Sequence, residues 1–220
     1  MPSQTKSVVL LSSGLDSTVN LYEARARSEV VLALTFDYGQ RAAPREVERA
    51  ALIAKHAGVR HKVVALPWFK DFTETSLLNR NSAVPSKAQV SIDDLETSRK
   101  TAKAVWVPNR NGIFLNVGAA FAEGHGAGWI VPGFNIEEGT TFPDNTEEYL
   151  QALTSAFRFS TANHVAAVCF TTSLNKTEIV RRGRALAAPF ELMWPCYLSE
   201  EKPCGECESC QRFKRAMANA

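Results

Sequence analysis

The sequence holds no apolar run of the roughly 18 residues that a membrane-spanning helix needs. It lacks an excess of either charge: 25 lysines and arginines face 23 aspartates and glutamates, a formal net charge of +2. Such a balance gives no drive toward nucleic acid or an anionic membrane, and neither is expected as a partner. The opening residues MPSQTKS are too few and too polar for a signal peptide, so a cytoplasmic protein is expected. Neither G-x-x-x-x-G-K-[ST] nor G-x-G-x-x-G occurs, which excludes a Walker-type phosphate loop and the dinucleotide fingerprint. Cysteine is scarce until the end of the chain, and the odd total of five argues against a disulfide scaffold.

What is present begins with Val8–Thr18, VVLLSSGLDST. Val8 to Leu11 read as a strand buried on both faces. Past Gly14, the apolar residues Leu15, Val19 and Leu21 recur at helical spacing. A strand, a tight loop of small residues and a helix start make a phosphate cradle, because unpaired N–H groups and the helix dipole both face the loop. Asp16 and Ser17 fall in the first helical turn, placed for a magnesium ion and a phosphate oxygen. An ordinary capped strand-to-helix turn is the alternative this stretch alone leaves open. The run Ser12-Ser13-Gly14-Leu15-Asp16-Ser17 resembles the PP-loop of N-type ATP pyrophosphatases, usually S-G-G-x-D-S. Ser13 replaces the first glycine of that pattern, and a positive φ there would strain a serine.

At 220 residues the chain suffices for one α/β domain with a good core. Strand two is expected at Val30–Phe36, running into Asp37-Tyr38-Gly39-Gln40-Arg41. A helix follows, with Pro44 in its first turn, an apolar stripe of Val47, Ala50, Ala51, Ala54 and Ala57, and Gly58 as its stop. His61–Leu66 reads as strand three. The alternation predicts an α/β fold: a doubly wound, mainly parallel sheet of about five strands, strand one central, helices on both faces. Ligands in such sheets bind beyond the carboxyl ends of the strands, where the Ser12–Ser17 loop and Asp37 both fall. Trp68–Val105 lacks periodicity and reads as a long excursion over the site or a surface insertion, with a short helix near Ile92–Lys100.

Arg110 stands before a helix at about Gly112–Glu123, with Asn111 as its cap and Gly118, Ala119, Ala120 and Ala122 packed closely on the sheet. The guanidinium either reaches a phosphate or carboxylate or lies in solvent. Trp129–Pro132 is a short strand, and Glu137 and Glu138 leave its end as two carboxylates at an active-site edge. A helix is expected at about Thr146–Phe157, and a strand at Val165–Phe170 that buries Cys169 in the core. Leu174–Leu186 is read as the last helix, with Ile179, Val180, Gly183 and Leu186 inward. Lys176 at its start either meets a phosphate together with the helix dipole or is a surface lysine.

Cys196, Cys204, Cys207 and Cys210 give C-x7-C-x2-C-x2-C. Two-residue gaps let neighbouring thiolates converge, and four soft ligands fill the tetrahedral shell of a structural zinc. Gly205 permits the tight turn between ligands. An iron–sulfur cluster is the alternative, although the usual ferredoxin spacings are absent. The expected organisation is a PP-loop ATP-binding domain over residues 1–190 and a zinc-binding segment over 191–220 packed on it.

Together these stretches resemble one family over almost the whole chain: 7-cyano-7-deazaguanine synthase, or QueC. The likeness rests on the modified PP-loop, LTFDYGQR at Leu34–Arg41, VPNRN at Val107–Asn111, LNKTEIV at Leu174–Val180 and WPCYLSEEKPCGECESC at Trp194–Cys210. The resemblance implies conversion of 7-carboxy-7-deazaguanine, ammonia and ATP into the 7-cyano product, through an acyl-adenylate and an amide, on the way to queuosine-type bases. It implies ATP with Mg2+ and a structural Zn2+ as cofactors and a homodimer as the assembly. Asp16, Ser17 and Lys176 are then the catalytic candidates. Leu11, Ser12, Ser13, Gly14, Leu15, Asp16, Ser17, Thr18 and Phe36 would hold ATP. Tyr38, Gln40, Arg110, Asn111, Phe134, Asn135, Glu137, Phe142 and Asp144 would hold the deazaguanine. The chain departs from the common family pattern at Ser13, at Ala42 (often histidine), and at Asn145 and Thr146 (often cysteine and arginine). Those departures keep open a relative that stops at the amide or joins the acid to another amine. A non-catalytic nucleotide- and zinc-binding module is the rival from another class.

Overall fold

A computed structural model describes residues 5–92 and 94–220. Lys6–Leu10 forms β1, Glu29–Asp37 β2, His61–Ala65 β3, Trp129–Val131 β4 and Ala166–Ala167 β5. They lie in the order β3-β2-β1-β4-β5, every pair parallel, with β1 at the centre. Eight helices are described: α1 Leu15–Arg27, α2 Ala43–His56, α3 Leu95–Val105, α4 Arg110–Gly124, α5 Ile136–Gly139, α6 Glu147–Ser160, α7 Lys176–Ala185 and α8 Glu208–Asn219.

Alternation along the strands sorts side chains into two layers. Val9, Ala33 and Val131 face a core built with Leu15 and Val19 of α1, Ala50 and Ile53 of α2 and Ile179 of α7. Their neighbours Val8, Leu32, Leu34 and Ile130 face Leu115 and Ala119 of α4 and Leu150 and Phe157 of α6. Helices on both faces of a parallel sheet make the doubly wound architecture read from the sequence. No helix among the described residues is long and apolar enough to cross a membrane.

Several expectations shift. In α2 the buried stripe is Ala50, Ile53, Ala54 and Ala57, while Ala51 is exposed, because i, i+3, i+4 and i+7 share one face and Ala51 lies off it. Ala120 is likewise exposed, whereas a side chain added at Gly118 would come within 2.6 Å of Ile130 Cδ1. The strand expected at Val165–Phe170 pairs over two residues only. Val168 N–H still reaches the Ile130 carbonyl at 3.0 Å, but the next donor in the ladder is Pro132, which has no N–H. Cys169 therefore leaves the strand, half-buried, and stays apart from the other four cysteines. Helix α4 begins at Arg110 itself, directly after the left-handed Asn109, so Asn111 sits within the helix and does not cap it. The excursion after β3 carries α3 later than expected; of the stretch Ile92–Lys100, Asp93 lies outside the described residues, as do residues 1–4 of the polar opening. Leu174–Leu186 is not the last helix: α8 follows, packs on α7, and places Ala216 in the core shared by α1 and α2.

Candidate active site

The turn from β1 into α1 is drawn tight by its own serines. Ser12 N–H donates to Ser17 Oγ at 3.2 Å, and Ser17 Oγ donates to the Gly14 carbonyl at 3.2 Å. Ser13 takes φ +63, the left-handed conformation its glycine counterpart would accept without cost. Its hydroxyl is buried without a partner among the described residues, and its carbonyl accepts the Trp194 N–H at 2.9 Å. The end of β4 presses on this turn: a Cβ on Gly133 would fall 2.4 Å from Ser17 N. Only a glycine allows that approach.

Beside the loop lies a charged triad, Asp16 and Lys176 buried and Glu138 half-buried. Lys176 Nζ donates to Asp16 Oδ2 at 2.7 Å and Glu138 Oε1 at 2.8 Å, and its side chain is 8% exposed, so it is not a surface lysine. A capping box between Asn175 and Glu178 sets Lys176 at the start of α7. Asn135 Nδ2 donates to Asp16 Oδ2 at 3.2 Å while its Oδ1 caps α5. Burial pushes the Asp16 carboxyl up, with Glu138 adding to the rise against Lys176. Glu138 is held down by Lys176 despite its burial. One lysine between two carboxylates leaves a net negative site. Asp16 Oδ1 is buried and has no partner among the described residues, the donor that a magnesium ion would need there.

Asp16 and Lys176 border a cavity of about 260 Å³ at the carboxyl ends of the strands. Of the residues expected to hold ATP, Leu11, Ser12, Gly14, Leu15, Asp16, Ser17 and Phe36 line it, whereas Ser13 and Thr18 point into the protein. Tyr38, Gln40, Arg110, Asn111, Phe134, Phe142 and Asp144 line it as well. Arg110 Nη1 donates to Tyr38 Oη at 3.4 Å, and Phe36 stacks on Phe114 at 4.2 Å. Two of the expected substrate residues face elsewhere. Asn135 is consumed by Asp16 and the α5 cap. Glu137 turns away because Arg212, Arg215 and the Lys176 N–H hold both its oxygens, and Glu138 is the carboxylate that reaches the cavity.

Sequence reading passed over Glu46, Trp106, Phe114, Tyr197, Glu208 and Arg212, which also line the cavity. Glu138 had a signal, since it shares the acidic pair after β4. Tyr197 and Arg212 lie among the cysteines, which masked them. The departures from the common pattern fall in different places. Asn145 lines the cavity and donates to Asp144 Oδ1 at 2.9 Å. Thr146 caps α6, its hydroxyl oxygen accepting the Tyr149 N–H. Ala42 is buried in a cluster with Trp194 and three of the cysteines.

The Sγ atoms of Cys196, Cys204, Cys207 and Cys210 all lie within 4.8 Å of one another and no pair is a disulfide. The Cys204–Cys210 separation of 3.9 Å approaches the roughly 3.8 Å edge of a tetrahedron with Zn–S bonds near 2.3 Å. Backbone N–H groups of Leu198 and Cys204 point at Cys196 Sγ, and that of Cys207 at Cys204 Sγ, each at 3.4 Å. Such donors stabilise thiolate charge. The four cysteines thus fit a metal ion. Their segment also roofs the cavity, through Trp194, Cys196 and Tyr197.

The family described as "Queuosine biosynthesis protein QueC" matches residues 6–220. A 7-cyano-7-deazaguanine synthase of Bdellovibrio bacteriovorus is 58% identical over 221 residues, covering 100% of this chain and 96% of its own. One from Pelotomaculum thermopropionicum is 48% identical over 215 residues, covering 98% and 97%. In fold alone, a 4-thiouridine synthetase solved with RNA and bound ATP is similar at TM-score 0.52 and 18% identity, over 98% of this chain and 50% of that one. A match that begins at β1 and runs to the last residue, with relatives this similar along their whole length, makes the chain a member of the QueC family.

Proposed function

We propose that the protein is a 7-cyano-7-deazaguanine synthase, an ATP-dependent ligase that turns 7-carboxy-7-deazaguanine and ammonia into the nitrile. The observation that carries this reading is one cavity lined both by the serine loop with its Asp16–Lys176–Glu138 triad and by aromatic rings and polar groups. The relatives bearing that name support it.

A carboxylate is a poor acyl donor, so its oxygen first attacks the α-phosphorus of ATP, and pyrophosphate leaves. Ammonia then displaces AMP to give the amide. A second ATP activates the amide oxygen, and loss of AMP and a proton leaves the nitrile. Amides of the Ser12–Ser17 turn and the dipole of α1 would hold the leaving pyrophosphate. Lys176, released from part of its ion pair, would meet charge growing on phosphorus. A magnesium ion bound at Asp16 would neutralise phosphate oxygens. Zinc on the four cysteines would hold the roof over the cavity and take no part in bond making. We assign residues 1–190 to the PP-loop domain and 191–220 to the zinc segment, place the enzyme in the cytoplasm, and expect a homodimer; light scattering that gives a monomer at micromolar concentration would refute the last.

The test is pyrophosphate release from ATP. It should depend on the deazaguanine acid, and Asp16→Ala should reduce it by about 10²-fold or more. Release that is indifferent to the acid would overturn the assignment.

A further inference from the structure

Glu46 has no task in that scheme, although it lines the cavity from the first turn of α2. Gln40 orients it, donating from Nε2 to Glu46 Oε2 at 2.7 Å. The same amide donates to the Phe36 carbonyl at 3.0 Å and accepts the Tyr38 N–H at 2.9 Å. Both hydrogens of Gln40 are thus spent within the protein, so Gln40 positions and Glu46 faces the ligand. Among the described residues nothing donates to Glu46 Oε1, and Oε2 keeps a second lone pair. Burial pushes the Glu46 carboxyl up to about 7, against Gln40 and Arg110. Arg110, the nearby cation, donates to Tyr38 Oη. Phe36, Tyr38 and Phe114 supply flat apolar walls.

A guanine-type base presents along one edge two donors, the 2-amino group and N1–H, then an acceptor, the 6-oxo group. A carboxylate beside a guanidinium presents the complement: two acceptors, then a donor. An adenine-type edge, with its 6-amino donor and N1 acceptor, does not match. Resting on the synthase reading, we infer that Glu46 is the residue that selects the base, its carboxylate accepting from N1–H and the 2-amino group while Arg110 meets the 6-oxo oxygen. The ligand supplies the donors that this carboxylate lacks.

The test is calorimetric titration in the presence of a non-hydrolysable ATP analogue, with 7-carboxy-7-deazaguanine and with the same acid lacking its 2-amino group. The native protein should bind the second about 10- to 100-fold more weakly, the loss of a hydrogen bond to a charged acceptor. Glu46→Gln should weaken binding of the first by a similar factor and bind both acids nearly alike. Its affinity for the ATP analogue reports that it is folded. Glu46→Asp, which keeps the charge but draws it back, should still discriminate, and carries the test if the first variant is not folded. In turnover, the loss should appear as a raised KM. Glu46→Gln that discriminates as the native protein does, or that lowers kcat at unchanged KM, overturns the inference. Native protein that binds the acid and its deaminated analogue equally also overturns it, leaving the synthase reading intact. Native protein that binds neither overturns both.

Discussion

Ser13 is the residue whose chemistry conflicts most openly with its position. Its φ of +63 costs an L-residue about 1–2 kcal/mol, and its buried hydroxyl has no partner among the described residues. Ser13→Gly removes both penalties but loosens the unfolded chain by about 0.4–1 kcal/mol. The expected net is a gain of about 1 kcal/mol, a rise of about 2–4 °C in Tm; an unchanged or lower Tm in a calorimetric scan would refute the strain. Glu46 conflicts in another way. Its carboxyl is pushed from 4.5 to about 7 by burial, so between those pH values the folded chain holds a proton that the unfolded chain has released. This contribution is full below about pH 4.5 and is lost as pH rises through 7. Glu46→Gln should therefore be more stable than the native protein by a margin that opens from pH 4.5 to 7 and then stays level. Denaturant melts at several pH values check this, and a margin that shrinks with rising pH contradicts it.

At the scale of elements, the PP-loop was legible because its pattern is local. Strand, small-residue loop and helix start occupy consecutive residues, and the PP-loop pattern needs no tertiary information. The rest of the cavity lining was less so. Glu46, Arg110 and Tyr197 come from distant stretches, and nothing in Gln40 itself reveals that its amide is used up internally. Helix α8 escaped notice because its fully buried positions are a metal-type cysteine, an arginine and an alanine, Cys210, Arg212 and Ala216, with Phe213 and Met217 alone supplying large apolar side chains against the core. Its Arg212 joins Glu208 on the same helix to Glu137 of α5, tying the cysteine segment to the turn that carries Glu138. Chelation of the metal should accordingly lower the melting temperature and the adenylation rate together, since metal binding there is folding free energy. Loss of metal with full adenylation retained would separate the two. The contact between β4 and α1 is equally exacting: Gly133→Ala places a methyl group 2.4 Å from Ser17 N. It should cut pyrophosphate release by at least about 10²-fold, as expected when groups around reacting atoms are displaced by about 1 Å. Near-native release would show that the turn can yield.

For the molecule as a whole, the two layers of helices leave the carboxyl edge of the sheet open, and three separate pieces close it. The excursion after β3 brings Trp106 against Phe142, their rings parallel at 5.8 Å. Ser86 of the same excursion bridges Cys207, so that wall and roof are joined. The cavity thus formed is lined both by the Ser12–Ser17 turn with Asp16 and Lys176 and by aromatic rings with Arg110 and Glu46, and a carboxylate-activating ligase needs its two reactants held in one such space. Product analysis tests this account most directly. With 7-carboxy-7-deazaguanine, ATP, Mg2+ and ammonium, mass spectrometry should find the amide first and the nitrile after it, with two AMP formed for each nitrile. An amide that never dehydrates, a conjugate with another amine, or no AMP at all would contradict it.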